Sequence, residues 1–300
     1  MKQKKNPSQL GSRSFPYLMC TPAILLFTVF VMCPFLYGIF ISLNNWNGLS
    51  DMTWNGLKNY LYTLQDKTFW LAMRHTLLYA VVVTVLKNVS GLLLALLLRK
   101  NFHGRTVFRV AVYLPVTFSY VVIGVLWSWI YNPTFGLLNS FLNTIGAGAL
   151  IRGWLSDPNI ALYSIIFVDV WRWSGFHMIL YLAGLQGIPR DLYEAAALDG
   201  ASSSKQFFHI TLPQLNSTLV INVLMSITGA FIANYDIVNV MTGGGPFNST
   251  EVALTYIMKT ALSLNNMGKA CAMSVVLFIV VLIFSFIQMG VMSKDENYSD

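Results

Sequence analysis

Charged residues are scarce in this sequence: of its 300 residues, 10% are Asp, Glu, Lys or Arg, whereas 55% are hydrophobic. A typical soluble domain is about 25% charged, so this chain has too few charges to cover a surface in contact with water. Disorder is excluded as well, because disordered chains combine low hydrophobicity with high charge. The composition therefore predicts an all-α, polytopic membrane protein.

Cysteine and histidine are also rare. The three cysteines, Cys20, Cys33 and Cys271, lie in apolar segments, where we expect small buried hydrophobic residues, and their odd number gives no disulfide framework or metal spacing. The four histidines are widely scattered. The sequence contains no G-x-x-x-x-G-K-[ST], H-E-x-x-H or G-x-S-x-G motif. We therefore expect this chain to be no enzyme and to bind no metal or cofactor itself.

Six segments are candidates to cross a bilayer, which takes a helix of about 20 apolar residues. They are Tyr17–Leu43, Leu71–Leu98, Phe108–Tyr131, Ile160–Leu182, Leu215–Ile237 and Gly268–Val291. The first is too long for the apolar part of a signal peptide, so we expect an uncleaved anchor. The predicted organisation is a tail over 1–16, the first helix with an outer loop over 17–70, a five-helix core over 71–291 and a tail over 292–300.

The net charge of +7 indicates an orientation rather than a nucleic-acid partner. The 19 basic residues are spread along an apolar chain and form no dense basic stripe. They are more frequent in the loops that lie on the same side as the N-terminus. Because cytoplasmic loops of membrane proteins are enriched in Lys and Arg, we expect both termini to be cytoplasmic.

The inner loop 187–213, between the fourth and fifth predicted spans, contains the signals of two short helices. Pro189 suits a first helical position, and Asp191 and Glu194 suit the positive end of a helix dipole. Asp199-Gly200 is a strong helix stop, because glycine readily adopts the left-handed conformation.

The second helix of this loop is predicted to begin at Ser203 and to be limited by Pro213. Ser203 with Gln206 three residues later resembles a capping box. On local chemistry alone, an ordinary helical loop between two spans remains an equally good interpretation.

The loop also contains a longer pattern: Glu194-Ala195-Ala196, then Gly200, Ile210 and Leu212-Pro213. This pattern resembles the EAA signature of ABC importer permeases. The stretches Trp171–Pro189 and Met241–Thr250 are similar to the carbohydrate-uptake branch of that family, and the second resembles a segment of the larger maltose-type subunit.

The resemblance implies a subunit in the plasma (inner) membrane of a prokaryote that imports a sugar or oligosaccharide. Its partners would be a second homologous permease, two ATPase subunits that hold ATP and magnesium, an extracytoplasmic solute-binding protein and the lipid bilayer, with no nucleic acid.

The resemblance also assigns residues to three sites. The ATPase-coupling residues are Glu194, Ala195, Ala196, Asp199, Gly200, Leu212 and Pro213. The substrate-path residues are Asp169, Arg172, Trp173, Phe176, Phe231 and Asn234. The residues at the outer mouth are Gly244, Gly245 and Pro246.

Apart from Arg74, Arg109 and Lys269, which lie within the first turn of their spans and are counted with the flanking segments, four charges fall within the predicted spans: Lys87, Asp169, Arg172 and Asp236. Each would cost about 2.5–3.5 kcal/mol at a helix centre, so each should face a partner or a wet cavity. Asp169 and Arg172 share a helix face and form either an internal ion pair or a polar wall of the substrate path. The maltose-type subunit has Asn and Leu at these two positions, which indicates a more polar or charged substrate. Asp236 is either interfacial or lining, and Lys87 has no assigned role.

A different class of function also accounts for the intramembrane charges. An ion-coupled secondary transporter or a channel would need them, but it gives no reason for the EAA loop. An integral-membrane enzyme lacks a clustered catalytic constellation in this sequence.

Overall fold

The computed structural model describes residues 11–296, except for the side chains of residues 11–18, 233, 287, 289 and 291–296. Residues 1–10 and 297–300, which belong to the two predicted tails, lie outside the described part. The first helix begins at Gly11 and the last ends at Glu296. Helix therefore extends into both predicted tails, because the flanking residues continue the helical turns beyond the apolar segments.

The chain divides into two compact units, of which the first comprises residues up to Gln65 together with Lys259–Val276. In chain order its elements are α1 (Gly11–Phe27), a π-helical turn (Thr28–Met32), α2 (Cys33–Ser42), β1 (Asn44–Asn45), β2 (Thr53–Trp54), α3 (Lys58–Gln65) and a second π-helical turn (Lys259–Ser263). The strands β1 and β2 pair antiparallel, so the all-α prediction is correct except for this small hairpin.

The second unit comprises Asp66–Met258 and the residues from Leu277 onward. Its elements are α4 (Lys67–Arg99), α5 (Arg105–Tyr113), a 3-10 turn (Leu114–Thr117), α6 (Tyr120–Ile130), α7 (Leu137–Thr144), a 3-10 turn (Gly148–Leu150), α8 (Ala161–Gln186), α9 (Arg190–Leu198), α10 (Ser203–Gln206), a π-helical turn (Phe207–Thr211), α11 (Leu212–Gln214), α12 (Asn216–Met241) and α13 (Ala253–Met258). The last helix, α14 (Met267–Glu296), begins in the first unit and ends in the second.

Three helices of the described residues are long and apolar enough to cross a bilayer, judged by length and composition: Met19–Ser42, Lys67–Arg99 and Met267–Phe286. Two bent helix pairs raise the number to five if each pair is one span: Arg105–Thr117 with Tyr120–Ile130, and Ser203–Gln214 with Asn216–Ile232. The fourth predicted span corresponds to α8, which has 26 residues but is not among these helices. Six spans therefore stay a prediction.

The third predicted span is not one straight helix, because the direction of the chain bends by 104° between Arg105–Thr117 and Tyr120–Ile130. Pro115 lies at the start of the 3-10 turn between them, where its missing N–H and fixed φ suit a new turn but not a continuing helix. Ser119 then caps α6, its hydroxyl accepting from the Val122 N–H at 3.4 Å. The single continuous helix predicted over this segment was therefore wrong.

Helix α8 packs closely against its neighbours at two glycines. A Cβ at Gly91 of α4 would lie 2.6 Å from the Cβ of His177. A Cβ at Gly175 of α8 would lie 2.2 Å from the Val112 carbonyl oxygen of α5. Any larger residue would force these backbones apart, so the glycines fix how near α4 and α5 come to α8.

The cysteine prediction was wrong for two of the three positions. Cys20 and Cys33 are exposed, and Cys271 is half-buried. The first long apolar helix, Met19–Ser42, has only 6% of its most apolar window covered by the rest of the chain. Its apolar side chains therefore need lipid or another protein chain around them.

Candidate functional site

The inner loop projects one short helix, α9, whose two ends are set by local chemistry. Pro189 precedes the helix with extended backbone (ψ 135°), so the prediction that it occupies the first helical position was off by one residue. At the other end Gly200 is left-handed (φ +77°), its N–H donates to the Ala197 carbonyl at 3.1 Å, and the Ala201 N–H donates to the Ala196 carbonyl at 2.8 Å. These two bonds form a Schellman motif, which confirms the predicted stop at Asp199-Gly200.

The second part of the loop starts one residue earlier than predicted. Ser202 caps α10, its hydroxyl accepting from the Lys205 N–H at 3.5 Å, and the Gln206 side chain donates to the Ala201 carbonyl at 3.2 Å. The capping box assigned to Ser203 was therefore wrong, since the first of two adjacent serines is the cap. The helix also passes Pro213, which lies in the first turn of α11, where its missing N–H needs no partner.

Most of the predicted coupling residues are accessible in this chain. Glu194, Ala195, Asp199, Gly200 and Pro213 are exposed, whereas Ala196 and Leu212 are half-buried. Next to them Leu198 exposes 90% of its surface. An apolar side chain presented in this way, beside small residues that permit close approach, gives the loop a surface suited to protein contact.

A buried ion pair lies in the core of the second unit. The Lys87 Nζ is 2.8 Å from Asp169 Oδ2, and the two side chains are only 4% and 1% exposed. One of the two interpretations from the sequence paired Asp169 with Arg172. The structure instead pairs Asp169 with Lys87, a residue on another helix. Lys87, which had no assigned role in the sequence analysis, supplies the counter-charge that the buried Asp169 needs.

Arg172 donates hydrogen bonds to the backbone at the break between the 3-10 turn and α6. Its Nη2 donates to the Phe118 carbonyl at 2.8 Å and to the Val116 carbonyl at 3.4 Å, and its Nε donates to Phe118 at 3.3 Å. These carbonyls lie where the helical ladder is interrupted between the 3-10 turn and α6. Carbonyl groups at a helix break lose their intrahelical donors and need others, and Arg172 provides them here.

Tyr120 joins the ion pair to the aromatic residues of the predicted path. Its hydroxyl donates to Asp169 Oδ1 at 3.2 Å and accepts from Trp173 Nε1 at 2.6 Å. The Arg172 guanidinium stacks 3.9 Å from the Tyr120 ring centroid, and Phe176 packs edge-on to Trp173 at 5.4 Å. The structure thus brings together four of the six predicted path residues and adds two that the sequence missed, Lys87 and Tyr120.

The remaining two path residues lie on α12 and are buried. Phe231 lines an apolar cavity of about 180 Å³ with Thr84 of α4 and Phe284 of α14. Asn234 is fully buried, and neither its amide nitrogen nor its oxygen has a hydrogen-bond partner among the described residues. A buried amide without partners costs about 1–3 kcal/mol, so the Asn234 side chain lowers the stability of this chain rather than raising it.

A second buried polar network was missed by the sequence interpretation. His177 Nδ1 lies 2.7 Å from Asn222 Oδ1, Ser226 Oγ lies 3.3 Å from His177 Nε2, Asn88 Nδ2 donates to Ser226 at 3.1 Å, and the Tyr181 hydroxyl donates to Asn88 at 2.7 Å. The network joins α4, α8 and α12. Its signal in the sequence is the pair Asn222 and Ser226, polar residues four apart and hence on one face of an apolar helix.

The outer-mouth residues form a compact turn. Gly244 is left-handed (φ +91°), and a Cβ there would lie 2.3 Å from Glu251 Oε2. The Thr250 hydroxyl donates to the Gly245 carbonyl at 2.6 Å. Pro246 follows at the turn's corner, and the predicted turn over this segment is confirmed.

The residues around this turn differ in exposure. Phe247 exposes 92% of its surface, and Asp236, which the sequence left as interfacial or lining, is also exposed. The short helix α13 that follows the turn is largely buried. Burial, with the adjacent Asp66 carboxylate that accepts its hydrogen bond at 3.0 Å, raises the pKa of Tyr256 to about 12, so this hydroxyl is a neutral donor at physiological pH.

Among residues 11–296, no group of three or more His, Cys, Asp or Glu side chains is arranged to hold a metal ion. The polar clusters described above consist mainly of Lys, Arg, Tyr, Asn and Ser, which are poor metal ligands compared with carboxylates, imidazoles and thiolates.

Comparison with known proteins places the chain in a family. Residues 87–293 match the model of the "Binding-protein-dependent transport system inner membrane component". The chain is 41% identical over 281 residues to the probable ABC transporter permease protein YurN of Bacillus subtilis, covering 93% of this chain and 96% of that one. It is 33% identical to the trehalose/maltose transport system permease protein MalF of Thermococcus litoralis, covering 97% and 96%.

The fold is shared with a solved transporter. A chain of the crystal structure of a bacterial ABC transporter involved in the import of the acidic polysaccharide alginate superposes with a TM-score of 0.82 at 23% identity, covering 96% of this chain and 98% of that one. The chain belongs to the family of inner-membrane components of binding-protein-dependent ABC transport systems.

Proposed function

We propose that this chain is the transmembrane permease subunit of an ATP-binding-cassette importer for a sugar or oligosaccharide. The observation that carries the proposal is the family match over residues 87–293, which contains the inner loop with its EAA pattern on an exposed helix. The relative from Thermococcus litoralis is described as transporting trehalose and maltose, which supports a carbohydrate as the substrate.

The chain would function in an assembly. A second homologous permease completes the path, an extracytoplasmic binding protein delivers the sugar near Gly244, Gly245 and Pro246, and two ATPase subunits hold ATP and magnesium. The exposed surface of α9, with Glu194 and Leu198, is the proposed ATPase contact. This chain itself holds no nucleotide and catalyses no reaction.

The topology that fits this function has six spans, with α8 as the sixth beside the three long apolar helices and the two bent pairs. Both termini are then cytoplasmic and α9 lies on the cytoplasmic side. The basic residues of the loops favour this orientation.

The substrate path is proposed to run beside the cluster of Asp169, Arg172, Trp173 and Phe176 and past Phe231 and Asn234. The partnerless amide of Asn234 supports this, because a sugar hydroxyl would satisfy it. The ring edges and faces of Trp173 and Phe176 would contact the apolar faces of a sugar.

Charge reversal on α9 tests the assignment. In Glu194→Lys we expect co-purification of the ATPase subunits with the permease to fall about tenfold, as expected for the loss of about 1.4 kcal/mol of binding free energy. Asp51→Lys is the matched control, since Asp51 is exposed and lies far from this loop in the sequence. Unchanged co-purification together with unchanged sugar uptake in Glu194→Lys would contradict the coupling role.

An ion-coupled transporter is the second candidate, and the buried pair of Lys87 and Asp169 is the one observation that favours it. The two functions differ in their energy source. Uptake by whole cells should stop when ATP is depleted while the proton gradient is maintained. Uptake that follows the proton gradient instead would support the second candidate.

A further inference from the structure

Helix α9 faces away from the rest of the chain with nearly all of its side chains. Of its nine residues only Tyr193 and Ala196 are not exposed. Tyr193 packs against the buried apolar cluster that includes Leu98, Ile188 and Leu215. Tyr193 is therefore the side chain that anchors α9.

The Tyr193 hydroxyl also stands in a chain of hydrogen bonds. Arg99 Nη1 donates to it at 3.4 Å, it lies 2.9 Å from the Thr211 hydroxyl, and the Thr211 hydroxyl donates to the Gln206 carbonyl at 3.4 Å. Because Thr211 has only one proton to donate, the Tyr193 hydroxyl is the donor between the two. The Arg99 guanidinium also lies 5.0 Å from the centre of the Tyr193 ring.

The two partners belong to different parts of the membrane domain. Arg99 is the last residue of α4, and Thr211 is buried at the end of the π-helical turn that leads through α11 into α12. Within the described residues, no other side chain of α9 forms a hydrogen bond or an ion pair with the rest of the chain. The hydroxyl of Tyr193 is thus the one polar connection from α9 to both α4 and the start of α12.

We propose that Tyr193 is the positioning residue that makes α9, the end of α4 and the start of α12 move together when the ATPases act. The proposal rests on the proposed function, since it takes α9 as the ATPase contact. A short helix held only by its two chain ends could rotate when pushed, and the displacement would then be lost. With the hydroxyl bonded on both sides, a rigid-body shift of α9 reaches two membrane helices at once.

The test measures the distance between α9 and α4 in the assembled transporter. Spin labels are placed at Leu192→Cys on α9 and at Leu97→Cys on α4, both exposed positions outside the residues named for the ATPase contact, after Cys20, Cys33 and Cys271 are replaced by serine. The distance distribution is recorded in lipid nanodiscs without nucleotide and after trapping with MgATP and vanadate. No transported sugar is needed.

In the otherwise unaltered chain we expect one narrow distance that is the same in both states. Tyr193→Phe keeps the ring and removes the hydroxyl, and we expect it to raise the population of a second, longer distance about fivefold after trapping. Thr211→Val should have the same effect, and the double variant should show no more than either single variant. Tyr163→Phe, the same change at an exposed tyrosine of α8, is the control and should leave the distribution unchanged.

Three results would overturn the proposal. The first is an unchanged distribution in Tyr193→Phe. The second is an effect of Thr211→Val that adds fully to that of Tyr193→Phe, which would mean separate contributions. The third is a lower yield of folded complex with unchanged distances, which would make Tyr193 a stabilising residue only. If the ATPases do not assemble with the unaltered chain, it is the proposed function that fails, and the nucleotide-free distances still report on the connection itself.

Discussion

The buried ion pair between Lys87 and Asp169 makes a quantitative prediction about the stability of the membrane domain. Removing one partner of a buried pair leaves an uncompensated charge and costs about 3–5 kcal/mol. Replacing both partners by neutral residues of similar volume is often neutral. The pair Lys87→Met and Asp169→Asn therefore forms a thermodynamic cycle in which each single change should be costly and the double change nearly harmless.

The two single changes should not cost the same amount. Asp169→Asn leaves two cations, Lys87 and Arg172, without a carboxylate, so we expect a loss of about 4 kcal/mol in the free energy of unfolding. Lys87→Met leaves Asp169 three residues from Arg172 on the same helix face, where the guanidinium offsets part of the charge. We expect this variant to lose about 2–3 kcal/mol, toward the cost of one charge at a helix centre.

The assay is reversible unfolding of the purified chain in mixed micelles, followed by circular dichroism. Asp236→Asn is the matched control, because it removes a carboxylate from another long helix, α12, at an exposed position. We expect it to change the free energy of unfolding by less than about 0.5 kcal/mol. A double variant whose loss equals the sum of the single losses would show that the two groups do not interact, and the assignment of Lys87 as the counter-charge would be wrong.

Two further predictions concern packing and the substrate path. Gly175→Ala should destabilise the domain by about 1–3 kcal/mol, because the new Cβ would lie 2.2 Å from the Val112 carbonyl oxygen. Gly229→Ala is the control and should be neutral or stabilising, since Gly229 has open space around it. Equal thermal midpoints for the two variants would contradict the close packing of α5 on α8. Asn234→Leu should leave the thermal midpoint unchanged or raise it, since a partnerless amide is removed, while sugar uptake at equal expression falls at least about tenfold, and normal uptake would take Asn234 out of the path.

Local chemistry was enough to predict the features that depend on neighbouring residues. The stop at Asp199-Gly200 follows from the conformational freedom of glycine, and the Schellman bonds are its direct consequence. The same kind of reasoning misplaced the cap by one residue, because Ser202 and Ser203 have the same side chain and differ only in their tertiary surroundings. The long helices were found, with ends that differ by a few residues.

Features that depend on pairs of distant residues could not be predicted in this way. The spacing of Asp169 and Arg172 suggested a pair, but helix periodicity says only that they share a face, not what each one meets. Lys87 lies on a different helix, and nothing local marks it as the partner of Asp169. The break of the third span did have a local signal, since Pro115 lies inside the apolar segment. The prediction of a single helix followed the apolarity of the whole segment instead of this proline.

The break in the third span offers a physical reason for the three buried charges. Once the helix is interrupted, the carbonyls of Val116 and Phe118 need donors, and Arg172 is bonded to both. Because the guanidinium is engaged there, Asp169 needs another cation, and Lys87 lies beside it. The charges of this cluster therefore stabilise the break, and the cluster would contribute to the proposed substrate path through its aromatic side chains, Trp173 and Phe176. In a variant that straightens the segment, such as Pro115→Ala, these two carbonyls would be bonded within the helix and Arg172 would lose its acceptors. Its guanidinium would then be the buried charge that destabilises the domain most.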